Sequence, residues 1–176
     1  MAGTIVVGNH THEEILDSLN AVDEMAVGTR AGSRLRSRMM HFAADEDFRI
    51  YASSMKGDPK TLQIVNDPSI SLLVLDRRTD QSGWREIEVT GRAEIVTDPA
   101  ERARALEMVS GPSPIVAHLK GAGQTDILDF IRITPIEVKM RIFGEIVAGM
   151  PPTVVEFEEN ARAESDLAGV RKRFTA

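Results

Sequence analysis

Ten residues, Glu86-Ile87-Glu88-Val89-Thr90-Gly91-Arg92-Ala93-Glu94-Ile95, constrain the fold more than any other stretch of the chain. Ile87, Val89, Gly91, Ala93 and Ile95 alternate strictly with Glu86, Glu88, Thr90, Arg92 and Glu94. Side chains of a strand point alternately to its two faces, so this segment lays one face on a core and the other in water. A sheet wet on one side is antiparallel in most proteins, and Gly91 in its middle marks a bend or bulge of the kind a closing barrel needs.

The rest of the chain supplies partners for that strand. Met25 to Arg30 and Arg34 to Ala44 read as strands around an Ala31-Gly32-Ser33 turn, and Asp45-Glu46-Asp47 turns the chain into a third strand, Phe48 to Ser54. Ile70 to Leu75 is apolar on both faces and reads as an interior strand, buried by core on one side and by a helix or partner chain on the other. Ile127 to Thr134 and Ile136 to Phe143 alternate again, with Pro135 separating them. Helices are expected from about Glu13 to Val22, where Thr11 and Glu14 stand at capping-box spacing. Others should run from Asp58-Pro59 to Val65, from Asp98-Pro99 to Val109, and over Pro114 to Leu119. The fold expected is mainly β with helices (α+β): a compact antiparallel barrel with peripheral helices. A doubly wound parallel sheet is disfavoured, because no strand leads into a GxGxxG or GxxxxGK loop. Residues 1–150 form the barrel domain in this reading. Residues 151–176 are a C-terminal extension whose stretch from Glu156 to Phe174 has a modest helical stripe.

Charge and composition exclude several functions. A formal net charge of -6 argues against nucleic acid as the main partner, since phosphate-backbone binding needs a cationic surface. With no cysteine there is no disulfide, thiolate metal site or cysteine nucleophile, and the default reading is intracellular. The N-terminal MAGTIVVGNH has neither the basic region of a signal peptide nor the length of a span, so a cytoplasmic protein without membrane contact is expected. His41 and His118 lack partners at metal-ligand spacing, and no metal is assigned. Glu86, Glu88 and Glu94 are a strand's wet face rather than paired catalytic acids.

The chemistry is expected between Arg34 and Lys60. Arg36, Arg38, Met40 and Phe42 share one strand face that runs from cationic to apolar, which suits an amphipathic ligand. The next strand ends in Ser53 and Ser54. The loop after it carries Lys56, Gly57 and Lys60 to the start of a helix, and hydroxyls, ammonium groups and helix-end amides together favour a phosphate dianion. Against this stands the plainer reading of a solvated strand face and ordinary surface lysines.

The same residues resemble the pyridoxamine 5'-phosphate oxidase-like, FMN-binding split-barrel superfamily, nearest its general stress protein branch. LRSRMM resembles that branch's R-S-R-P-M, IYASS its strand end, and GDPK its G-x-x-K before a helix. NDPSISLLV resembles N-P-x-V-x-L, and EIEVTGRAEIVTDP resembles V-x-V-x-G-x-A-x-V-x-D, so the likeness runs from about Glu13 to Phe143. The resemblance implies FMN as cofactor and a homodimer with flavin at the subunit interface. It implies that Arg38, Met39 and Met40 line the isoalloxazine ring, and that Ser53, Ser54 and Lys60 surround the phosphate. Met39 stands where the branch commonly has proline. The chain ends EFEENARAESDLAGVRKRFTA, without the arginine-bearing segment that holds substrate in true pyridoxamine 5'-phosphate oxidases. The expected function is therefore an FMN-dependent oxidoreductase acting on a small substrate or reductant that the sequence does not identify, with catalytic residues unassigned. The alternative is a non-catalytic stress or carrier protein of the same fold, holding flavin, a deazaflavin or haem.

Overall fold

The structure is a computed structural model, and it describes residues 4–157. Its centre is a ring of six antiparallel strands: β2 (Glu24–Ala31), β3 (Arg34–Ala44), β4 (Ile50–Met55), β5 (Ser69–Asp76), β6 (Arg85–Ile95) and β7 (Leu128–Ile142). Their order around the ring is β7-β4-β3-β2-β5-β6, and pairing of β6 with β7 closes it. The antiparallel barrel expected from the alternation, a split barrel as the family resemblance implies, is the architecture found. Met25, Val27, Phe42, Ile50, Ala52, Leu72, Val74, Ile87, Val89, Ala93, Ile131, Ile133, Val138 and Met140 fill it.

Two helices close the barrel's openings. In α1 (His12–Asn20) the Thr11 hydroxyl accepts from the Glu14 N–H while the Glu14 carboxylate accepts from the Thr11 N–H, a complete capping box. This helix buries Ile15 and Leu19 in the barrel core. At α2 (Pro59–Asn66), Asp58 caps and Pro59 starts the helix, as the sequence predicts, and Ile64 reaches the same core. A second, smaller core lies outside β4 and β7, where α3 (Pro99–Ser110) and α4 (Pro114–Gly121) pack on Tyr51, Leu128 and Phe130. Burial and the Glu101 carboxylate push the Tyr51 phenol above its ordinary range, and its hydroxyl donates to Glu101 at 3.1 Å.

Four sequence expectations need correction. The two strands expected around Pro135 are one 15-residue strand, β7. Proline is accommodated because Pro135 faces Gly91 at a register shift on the β6 side. On its other edge it passes the gap between the start of β4, where Ile50 faces Ile133, and the end of β8 (Thr153–Phe157), where Glu156 faces Glu137. Within this chain the outer side of Ile70 to Leu75 is left open, so of the two covers expected the helix is not the one: Ile70, Leu72 and Val74 point inward, and Leu73 is 45% exposed. β4 starts at Ile50 rather than Phe48, whose φ of 59° turns its ring into the core. Finally, Thr153–Phe157 is a strand, β8, joined to β7 and to β1 (Thr4–Val7), which the sequence reading missed along with the short helix α5 (Phe143–Val147). Glu156 and Phe157 therefore extend the sheet rather than begin a helix, and the rest of the stretch to Phe174 lies outside the described residues. Among the described residues no helix is long and apolar enough to cross a membrane.

Gly91 sits at the bulge that the sequence anticipates. A Cβ there would stand 2.5 Å from the Thr134 carbonyl oxygen, a backbone atom that cannot swing aside. Gly91→Ala is expected to cost about 1–3 kcal/mol through forced backbone displacement. Urea unfolding checks it, and an unchanged midpoint would show that the β6–β7 seam yields freely.

Candidate functional site

Of the residues expected around a phosphate, Ser54 and Lys60 meet at the mouth of the barrel beside the first turn of α2, and Arg38, expected at the ring, stands near them. Three elements bring them there. Alternation along β3 puts Arg38 and Met40 on the same side as buried Phe42, while Met39 turns to the outer surface, 60% exposed. Along β4 the same rule separates the two serines. Ser54 shares the inward face with Ile50 and Ala52 and is buried, whereas Ser53 points with Tyr51 toward the outer face of the strand. The turn Met55-Lys56-Gly57-Asp58 then reverses the chain, with Gly57 at a φ of 79° that favours glycine, and sets Lys60 over Ser54.

Lys60 is mostly buried, 17% exposed, and its Nζ donates to Ser54 Oγ at 3.0 Å and to Asp58 Oδ2 at 2.9 Å. Asp58 also accepts from the Lys60 backbone N–H at 2.9 Å as the helix cap. The Lys60 side chain and backbone hydrogen bonds, followed by the charges of Lys60 and Arg38, hold the Asp58 carboxyl below its usual range. Its cap is accordingly intact above the ordinary carboxylate range and is lost as pH falls through the depressed value. Lys56 differs: its side chain is exposed, and its backbone N–H donates to Ile127 O at 2.8 Å.

Arg38 approaches from the other side. Its Nη2 donates to Gln63 Oε1 at 2.9 Å, one turn along α2 from Lys60, and Thr29 Oγ1 donates to the same oxygen at 2.8 Å. Its Nη1 is buried without a hydrogen-bond partner among the described residues. A buried guanidinium nitrogen left without an acceptor is costly, and an anion would satisfy it. Arg38, Ser54 and Lys60 thus come together. Gln63, Thr29 and Asp58 complete the group; the sequence reading saw Asp58 only as a helix cap, and Gln63 and Thr29 carry no local signal beyond polarity on a helix and a strand. The charges sum to one net positive from two cations and one carboxylate, which suits an anion with further neutral donors.

On the outer surface behind β3, Met39, Ala26 and Leu73 lie in one row across β3, β2 and β5. With His41, Glu24 and Leu75 they line a cleft of about 650 Å³. His41 Nε2 lies 3.6 Å from Glu24, and His118 is exposed on α4. Among the described residues no group of three or more metal-ligating side chains is arranged to hold an ion.

Known proteins share this architecture. A conserved hypothetical protein of Mycobacterium tuberculosis superposes with a TM-score of 0.65 at 20% identity, over 82% of this chain and 91% of that one. An FAD-binding protein of Mesorhizobium loti does so with a TM-score of 0.59 at 18% identity, over 88% and 99%. For General Stress Protein 26 of Bacillus anthracis the values are 0.55 and 20%, over 75% and 94%. At these identities the likeness is one of fold. No curated protein matches the sequence. The pyridoxamine 5'-phosphate oxidase family does match it, across residues 11–141, a span that holds all but the last residue of the barrel ring and every side chain of the anion cluster. The chain therefore belongs to the pyridoxamine 5'-phosphate oxidase family.

Proposed function

We propose that the protein is an FMN-binding oxidoreductase that acts on a small substrate as a homodimer, with the FMN phosphate held by Arg38, Ser54 and Lys60. The observation that carries this reading is the buried, unpartnered Nη1 of Arg38 beside the Lys60–Ser54 pair. Two cationic donors and a hydroxyl are gathered there, and the one carboxylate among them, Asp58, leaves the group with net positive charge. Charge-assisted donors of this kind hold a phosphate better than neutral ones. When bound, the flavin supplies the electron or hydride transfer. The protein's part is to bind and orient it: Arg38 and Lys60 fix the phosphate end, and Met40, on the same face of β3 as Arg38, forms a wall for the ring, methionine being soft enough to follow a flat surface, whereas Met39 lies on the opposite face. FMN rather than FAD is the expected cofactor, because no glycine-rich pyrophosphate loop stands beside the cluster.

The test is titration of FMN into micromolar protein, read by flavin fluorescence. Saturable quenching is expected, and its absence sinks the proposal. Equal affinity for FAD would show that the phosphate end is not closed as described. Turnover of a reduced nicotinamide by the loaded protein separates an enzyme from a carrier.

The dimer follows from the outer surface of β2, β3 and β5. Met39 and Leu73 are apolar and exposed on either side of small Ala26, and a wet sheet face normally carries polar side chains instead. A second copy covering that row gives an isologous interface. Sedimentation is expected to report twice the chain mass, and Leu73→Glu to shift it toward a single chain. A monomer mass for the unaltered protein with FMN present contradicts this.

A further inference from the structure

We propose that Gln63 and Thr29 are positioning residues that preset Arg38 for the anion, a reading that rests on the FMN assignment above and deepens it. Gln63 Oε1 accepts two hydrogen bonds, from Thr29 Oγ1 at 2.8 Å and from Arg38 Nη2 at 2.9 Å. A guanidinium has no acceptor, so the amide must turn its oxygen, not its nitrogen, toward Arg38. The Thr29 side chain is buried, 2% exposed, and its hydroxyl donates to the second lone pair of that oxygen, holding the amide in the orientation that Arg38 requires. One carboxamide thereby joins β2, β3 and α2, and it clamps one arm of the Arg38 fork while Nη1, the other arm, is left buried and unpartnered.

That asymmetry is what an anion receptor needs. An arginine free to choose rotamers must lose that freedom when it binds phosphate, and a clamped one has lost it on folding. The clamp is also neutral. A carboxylate in the place of Gln63 would hold the guanidinium equally well and cancel its charge, so the amide keeps Arg38 fixed and still fully cationic.

The plain alternative is that Gln63 and Thr29 only satisfy one another at a barrel mouth. Paired titrations with FMN and with riboflavin, which lacks the phosphate, separate the two. Gln63→Met is expected to weaken FMN about tenfold, the worth of an ordered charge-assisted bond, and to leave riboflavin within about twofold. Thr29→Val, which keeps the shape of the buried side chain, should weaken FMN in the same direction by about threefold. Gln63→Glu should lose FMN affinity as Gln63→Met does while retaining the thermal midpoint of the unaltered protein, because the clamp survives and the charge does not. In an Arg38→Met background, Gln63→Met should cost nothing further. The inference falls if Arg38→Met weakens FMN but Gln63→Met and Thr29→Val do not. It falls too if Gln63→Met weakens riboflavin as much as FMN, or still weakens FMN once Arg38 is gone. Failure of the unaltered protein to bind FMN, or an Arg38→Met variant that binds it normally, overturns the parent reading and this one with it.

Discussion

Replacing Lys60 by alanine is expected to weaken FMN binding about tenfold to a hundredfold, the worth of one charge-assisted hydrogen bond to a desolvated phosphate. The expectation rests on burial: Lys60 is 17% exposed, and its ammonium is held between Ser54 and Asp58 instead of moving in solvent. The competing account makes Lys60 no more than the counter-ion of a helix-capping carboxylate. In that case alanine costs some helix stability and leaves affinity within about twofold. Lys56→Ala is the control, being exposed, of equal charge and in the same loop. The two titrations should be run at matched, moderate salt, because low salt lets the field of an uncontacted charge imitate a contact. Equal losses at both lysines would mean a diffuse basic loop, and loss at Lys56 alone would put the phosphate elsewhere.

The largest stability effect is expected at Phe48. Its side chain is fully buried, with its ring 4.4 Å from that of His12 and 5.9 Å from that of Phe157, so it joins the start of α1 to β8 at one mouth of the barrel. Its backbone has a φ of 59°, a conformation that bulky residues rarely adopt. Two features hold it there: the Phe48 N–H donates to Asp45 O at 3.0 Å, and the Asp45 carboxylate accepts from the N–H groups of Asp47 and Arg49. Phe48→Ala is expected to cost about 3–5 kcal/mol, the range for emptying an aromatic site in a core. Phe48→Gly should be no worse than alanine, although glycine usually destabilises, because it relieves the left-handed strain. Urea unfolding of both variants measures this. A glycine variant clearly less stable than the alanine one would show that the strain is slight.

Much of the barrel was legible because its signals are local. The alternation in Glu86 to Ile95 fixes which side chains of β6 face the core, and the structure buries Ile87, Val89 and Ala93. Asp58-Pro59 starts α2 where the cap and the locked proline φ require. Gly91 announced a bulge by interrupting an otherwise ideal strand. The site was legible only in outline. The family resemblance names Arg38, Met39, Met40, Ser53, Ser54 and Lys60 and places Arg38 at the ring, without the period-2 alternation that separates Ser53 from Ser54 and Met39 from Arg38.

What tertiary structure alone decided is which of these groups touch. Gln63 lies 25 residues from Arg38 and 34 from Thr29, and nothing near any of the three says that one amide oxygen will serve both. Pro135 reads as a strand break until the bulge at Gly91 and the gap between β4 and β8 are seen to need no regular ladder there. The β1–β8 pair joins segments about 150 residues apart in chain order, and four residues of β-branched composition at an N-terminus carry no mark of so distant a partner. Local preference is set by sterics within a few residues, and the sequence by itself determined strand faces, helix starts and the bend in β6. Ring closure, the clamp on Arg38 and the inward turn of Phe48 each depend on burial that exists only when the barrel is complete, because only then do polar groups without water have to find one another.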